Sequence, residues 1–288
     1  MLSVNFTAFL LNAIILSETI QERGVHLKKH IRFILAAVCV LLLCIAGYSG
    51  YHVYSILSGY EKARSAYTDI RQEYVSYADS TDSLGSNKKG DVLASAESSL
   101  LKVDFDNLKE SVNLEICAWI FCEDTVIDYP VVQHSDNEYY LNTNANGESS
   151  ATGAIFLDTA NFSDFRDTNN ILHGHHMGDG TMFASLDKWQ DESYFKEHPV
   201  MYLNTPSGNY QVDIFAAFTT LAGSKAYRFE FSGESELLNW IEWVQGESVI
   251  NPSIELSPDD HFLTLSTCAY SCEDARTVLI GRLRPISV

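Results

Sequence analysis

From Phe33 to Gly47 every residue is apolar, and no Asp, Glu, Lys or Arg occurs between Arg32 and Glu61. Crossing a hydrocarbon layer takes roughly 20 residues of this kind. The window is therefore long enough for a membrane-spanning helix. The competing reading is a helix buried in a soluble core. Tyr48, Tyr51 and Tyr54 follow, where an interfacial aromatic belt would sit. Lys28, Lys29 and Arg32 lie just before it. Basic flanks stay in the cytoplasm, so the expectation is a single-pass cell-membrane protein with its N-terminus inside and its large C-terminal part outside. A cleaved signal peptide fits less well, because the segment starts late and lacks a small-x-small cleavage site.

The charge divides at the same place. Of 288 residues, 19 are basic and 38 acidic, a net charge of −19. Residues 1–32 hold four basic and two acidic residues, which leaves 15 basic and 36 acidic beyond them, or −21. So acidic a surface is the wrong partner for a phosphate backbone, which excludes nucleic-acid binding. It would also stand off anionic lipid. Apolar residues at 46% and charged residues at 20% exclude a wholly disordered chain.

This gives a cytoplasmic segment over 1–32, a transmembrane anchor over 33–54, a helical stalk and linker over 55–110, and an outer domain over 111–288. Phe6 to Leu16 is too short to span and is expected at the interface. A second reading has translation starting near Val25 or Leu27, where the basic-then-apolar pattern begins. In the stalk, Tyr60, Ala63, Tyr67, Ile70 and Tyr74 recur at helical spacing and predict a helix over 52–80. Residues 80–90 read as a polar linker and 91–110 as a short helix. Beyond 113 come short β-rich runs: Ala118–Phe121, Val126–Val132, Ala154–Leu157, Tyr210–Ala217, Phe262–Thr267 and Thr277–Leu283. Glu234–Gln245 is expected as an amphipathic helix with Leu237, Leu238, Ile241 and Val244 on one face. The outer domain is thus mainly β with added helices, an α+β class.

Six cysteines are present. Cys39 and Cys44 fall in the apolar segment, where Cys behaves as a small hydrophobe. Cys117, Cys122, Cys268 and Cys272 are sparse for a disulfide framework, and their spacing fits no zinc site. A reactive thiol remains, and Cys268 is the best candidate. It closes the alternating run Phe-Leu-Thr-Leu-Ser-Thr-Cys, a strand ending at the thiol. Arg276 opens the next strand after a short acidic turn. A hairpin-like return would bring its guanidinium near the sulfur, favouring the thiolate and a developing oxyanion. Cys272, four residues on, would silence the thiol by a disulfide if it reached it.

A Cys nucleophile needs a His as acid and base. The cluster Leu-His173-Gly-His175-His176-Met offers three. It also admits a metal-dependent hydrolase built on His173 and His175, although the spacing, even with Asp179, matches no metal motif.

These residues bear a resemblance to a known family. Leu-Ser-Thr-Cys, preceded by Thr264 and followed by Arg276, resembles the signature of sortases, membrane-anchored cysteine transpeptidases of Gram-positive bacteria. Asn170-Ile-Leu-His-Gly-His-His-Met, followed by Gly-Thr-Met-Phe-Ala-Ser-Leu, looks like the family's catalytic-histidine region. Trp119-Ile, Ile127-Asp-Tyr-Pro-Val-Val-Gln, Asp136-Asn-Glu-Tyr-Tyr-Leu-Asn and Gly153-Ala-Ile-Phe-Leu-Asp resemble class B sortases in particular. The helix at 234–245 does so too. The resemblance covers roughly 110–288.

The resemblance implies a closed β-barrel with N-terminal helices and a helix inserted between late strands, so that 111–288 is the catalytic domain. It implies Cys268 as nucleophile, His175 as acid and base, and Arg276 as oxyanion donor, with Arg282 on the same strand face as the fallback. His173 stands where the family usually has an aromatic, and His176 where it usually has Asn. Asn137, Leu141 and Ser266 are implied to line the substrate groove. No metal or organic cofactor is expected. The expected partners are secreted proteins bearing a C-terminal sorting motif and an amine acceptor, either a peptidoglycan precursor or a pilin Lys. A non-catalytic adhesion module is the reading that the joint presence of His175, Cys268 and Arg276 disfavours.

Overall fold

The structure, a computed structural model, describes residues 27–77, 101–268 and 274–286. The Phe6–Leu16 segment, the alternative start, the 80–90 linker and Cys272 lie outside the described residues. The chain forms two compact units, Met1–Ser58 and Gly59–Val288.

In the first unit the apolar segment is helical, part of α1 (Leu27–Tyr74). It is long and apolar enough to cross a membrane. Phe33, Val40 and Leu41 are exposed there, as lipid-facing side chains would be.

The second unit begins with the C-terminal turns of α1. Ala63, Tyr67 and Ile70, spaced at three and four residues, form a buried stripe. Arg71 Nε meets Asp128 at 2.7 Å, and the other oxygen of Asp128 accepts the Trp119 indole N–H at 2.6 Å. The helix stops at Tyr74, short of the expected 80, because the next residues form β1 (Val75–Tyr77), antiparallel to β2 (Leu101–Val103). Of the expected 91–110 helix, residues 91–100 lie outside the described residues, and the remainder is divided. β2 comes first, and Asp104 then caps α2 (Phe105–Ser111) by accepting from Asn107 N–H.

Eight strands close a barrel in the order β10-β8-β7-β3-β4-β5-β6-β9. They are β3 (Ile116–Phe121), β4 (Asp128–Val132), β5 (Ile155–Leu157), β6 (Asn169–His173), β7 (Val200–Thr205), β8 (Gly208–Leu221), β9 (His261–Cys268) and β10 (Ala275–Ile286). All six expected strands are present, and β6 and β7 add to them. β4 starts at Asp128 rather than Val126 because a turn precedes it, closed by Cys122 N–H to the Ile127 carbonyl, with Asp124 left-handed at φ 56°. Between β6 and β7 lie a 3-10 segment (Ala184–Gln190) and α3 (Glu192–Glu197).

Period-two alternation sorts β9 and β10 between two cores. Leu263, Leu265 and Leu279 point into the barrel. Phe262, Val278 and Ile280 point outward, under α4 (Glu234–Glu247). Of the expected apolar face of that helix, Leu237, Ile241 and Val244 are buried with Trp240, but Leu238 is 44% exposed. Trp240, which also donates to the Lys225 carbonyl, completes the buried stripe, and Leu238 sits on its flank.

Candidate active site

The barrel's strand order determines what meets at the end of β9. β9 runs parallel to β6 on one side and antiparallel to β10 on the other. In register, Ser266 pairs with His173 and Cys268 with Arg276. The histidine loop, the cysteine position and the arginine are therefore neighbours by strand pairing, although far apart in sequence. Positions 266 and 268 of β9 and 276 of β10 fall on the outward face of the sheet by alternation.

A groove of about 490 Å³ opens on that face. Its lining includes Asn137, Leu141, His175, Ser266 and Arg276, so five of the six site residues expected from sequence meet in one cavity. The sixth, Cys268, is placed by its backbone, as the direct cross-strand partner of Arg276.

The three histidines have distinct environments. His173 Nε2 lies 2.9 Å from Asp158 Oδ2, and His176 Nε2 lies 2.7 Å from Asp187 Oδ2. His175 Nε2 instead meets a backbone oxygen, that of Leu141, at 2.7 Å. A neutral ring donating from Nε2 keeps Nδ1 as its acceptor. Only His175 combines a place in the groove with freedom from a carboxylate. Among the described residues no group of three or more His, Cys, Asp or Glu is arranged to hold a metal ion.

The seat of His175 is tight. Phe183 N–H donates to its carbonyl at 3.1 Å. Gly153 is left-handed at φ +58°, and a Cβ there would lie 2.5 Å from the Tyr140 carbonyl oxygen and 3.0 Å from both the Leu141 carbonyl and His175 Cδ2. The Gly153 carbonyl accepts from the Tyr67 hydroxyl of α1 at 2.9 Å. Burial pushes the Tyr67 phenol well above its ordinary range, so it remains a donor. The Tyr139–Leu141 turn is fixed by Tyr140, whose hydroxyl donates to Glu115 at 2.5 Å and accepts from Asn113 at 2.8 Å. Gly153→Ala is expected to lower kcat roughly tenfold or more by displacing the ring, with the protein still folded. Circular dichroism with steady-state kinetics checks this, and an unchanged kcat would contradict it.

Another part of the lining is a polar chain. Asp158 accepts from Asn137 Nδ2 at 3.0 Å and from Ala160 N–H at 2.9 Å, besides His173. Burial pushes the Asp158 carboxyl up, but these hydrogen bonds, led by His173, outweigh it and hold its pKa below the ordinary value. His173 stacks on Tyr227 at 6.3 Å, and the Tyr227 hydroxyl pairs with Ser266 Oγ at 2.8 Å. Asn137 and Ser266 are thus built into the wall. Asp158 was legible only inside a family motif, and nothing in the sequence signals Tyr227.

Arg276 Nη1 donates to the Ala275 carbonyl at 2.9 Å, and among the described residues it makes no ion pair. Its remaining donors are available to an incoming oxyanion. Arg282 is on the same strand face, as expected, but six residues away, roughly 20 Å. It binds Asp213 at 2.9 Å and the Glu255 carbonyl at 3.0 Å, outside the groove. The fallback arginine is therefore a structural ion-pair partner. Cys117 and Cys122 are buried, and burial pushes both thiols up to about 12, which disqualifies them as nucleophiles.

The comparisons with known proteins agree with this geometry. A sortase domain model matches residues 120–284. Sortase B of Listeria monocytogenes is 35% identical over 176 residues, covering 60% of this chain and 72% of that protein. Sortase B of Staphylococcus aureus is 31% identical over 234 residues, covering 81% and 93%. A solved Staphylococcus aureus sortase B–substrate complex superimposes with a TM-score of 0.61 at 32% identity, covering 64% of this chain and 85% of its own. A barrel of this strand order, a family match over more than half the chain and relatives aligned along most of their length lead to one conclusion: the chain belongs to the sortase family, as a cysteine transpeptidase of the class B type.

Proposed function

We propose that the chain is a membrane-anchored transpeptidase that cleaves a C-terminal sorting motif of secreted proteins and transfers the acyl group to a cell-wall precursor amine. The observation that carries this reading is the groove shared by His175, Ser266 and Arg276 at the strand position of Cys268. The Cys268 thiolate attacks the scissile carbonyl of a peptide lying in the groove, along the wall of Asn137, Leu141 and Ser266. Arg276 donates to the oxyanion. Protonated His175 gives its proton to the leaving amine as the C–N bond breaks. A thioester remains, which keeps the energy of the peptide bond in usable form. The acceptor amine then attacks the thioester and loses its proton to His175. The C–S bond breaks and the thiolate returns. The substrate complex of the Staphylococcus aureus relative, and a solved sortase B complexed with triglycine, support a peptide donor and an amine acceptor.

The apolar part of α1 is the anchor, and Lys28, Lys29 and Arg32 keep its start in the cytoplasm, so residues 111–288 form an extracellular catalytic domain. The test is a peptide-library cleavage screen, repeated with a thiol-directed reagent, with a chelator, and with either a glycine-type amine or a pilin Lys as acceptor. Cleavage is expected to be abolished by the thiol reagent, to be unaffected by the chelator, and to join product to the glycine-type amine. Chelator-sensitive, thiol-independent cleavage would overturn the thiol mechanism. Joining only to Lys would overturn the wall-anchoring assignment.

A further inference from the structure

Two walls of the groove must keep a fixed separation for the reaction just proposed. His175 belongs to the loop after β6, and Arg276 to β10. Their immediate neighbours, His176 and Thr277, converge on one carboxylate. Asp187 Oδ2 lies 2.7 Å from His176 Nε2, and Asp187 Oδ1 accepts from Thr277 Oγ1 at 2.6 Å. We infer that Asp187 is a positioning residue, whose carboxylate fastens the histidine loop to the arginine strand and so sets the spacing of His175 and Arg276.

The carboxylate stands on a firm base. It lies in the 3-10 segment Ala184–Gln190, whose Leu186 and Trp189 are fully buried. Trp189 donates its indole N–H to the His198 carbonyl at 2.9 Å. Gln190 Oε1 accepts from Thr219 Oγ1 of β8 at 3.3 Å, so the same segment grips the strand on the other side of β10. On the loop side, His176 forms a bridge with Met182, and Ala184 N–H donates to the Thr181 carbonyl at 3.2 Å. On the strand side, Thr277 is 1% exposed. Its hydroxyl points away from the groove while Arg276 faces into it, as strand alternation requires. The arrangement also accounts for a histidine at 176. A ring with an N–H reaches a carboxylate that already holds a Thr hydroxyl, and neither His176 nor Asp187 lines the groove.

The inference rests on His175 and Arg276 being the acid–base and the oxyanion donor. Its test is kinetic and spectroscopic, on the full chain. Asp187→Asn is expected to lower kcat roughly 10- to 100-fold while KM for the sorting peptide stays within about twofold, since geometry and not ground-state binding is lost. Thr277→Val, nearly isosteric, attacks the clasp from the other side and should lower kcat in the same way. The double variant should be no worse than the more damaged single one, because both remove one connection. In folded Asp187→Asn the NMR signals of the His175 ring are expected to move. An unchanged kcat in both single variants, additive losses in the double variant, or an unmoved His175 ring would each overturn the inference. His175→Gln is measured alongside. If it keeps turnover, the acid–base reading fails, and the role of Asp187 is decided by the ring signals alone.

Discussion

Cys268→Ala is expected to abolish cleavage of a sorting peptide, a loss on the order of 10⁴-fold or more. The size of the effect follows from the absence of a substitute among the other described cysteines. Cys39 and Cys44 lie in the apolar part of α1, and Cys117 and Cys122 are buried with thiols pushed up to about 12. None of these four can supply a thiolate to the groove. Intact-mass measurement after incubation with substrate should show an acyl adduct on the wild type and none on the variant. A variant that still cleaves, or still forms the adduct, would remove Cys268 from the mechanism and direct attention to Cys272. The same pair of measurements under oxidant tests the redox link between those two cysteines.

His175→Ala should cost roughly 10²- to 10⁴-fold in kcat, the range of a lost general acid and base. His173→Ala and His176→Ala should cost much less. His173 is tied to Asp158 and His176 to Asp187, each at hydrogen-bond distance. Their removal disturbs the groove wall or the clasp but takes no proton donor from the reaction. Side-by-side kinetics of the three alanine variants decide the matter. If His176→Ala were the most damaging, the acid–base role would pass to that ring.

Much of this was legible in the sequence, and the reasons are specific. The run from Leu263 to Ser266 alternates because Leu263 and Leu265 point into the barrel while Thr264 and Ser266 make polar contacts on the other face, so its strand can be read directly. The apolar window at Phe33–Gly47 needs only counting. The Asn169–His173 strand is harder, since all but its last residue are buried and its two Asn residues hide the pattern. Asn170 and Asn169 are buried because their side chains bind backbone carbonyls, Asn169 those of Ala226 and Arg228. No local rule predicts such long-range satisfaction. Val200–Thr205 escapes a sequence reading for a similar reason: buried at five of six positions, it shows no alternation. Leu238 falls outside its expected face because it lies about 100° around the helix from Leu237, off the stripe that Leu237, Trp240, Ile241 and Val244 form. Asp187 is invisible, since its two partners lie 11 and 90 residues away.

The Tyr67 hydroxyl on the Gly153 carbonyl carries a practical lesson for anyone preparing a soluble form of this enzyme. The last turns of α1 are a foundation stone for the chemistry, not a handle to be trimmed. A fragment begun at the first strand would leave an empty slot the size of a phenol beneath the glycine that abuts His175. It would fold, if at all, around a loosened histidine, and its low turnover would be mistaken for poor substrate choice. Assays meant to identify the sorting motif should begin ahead of Tyr60.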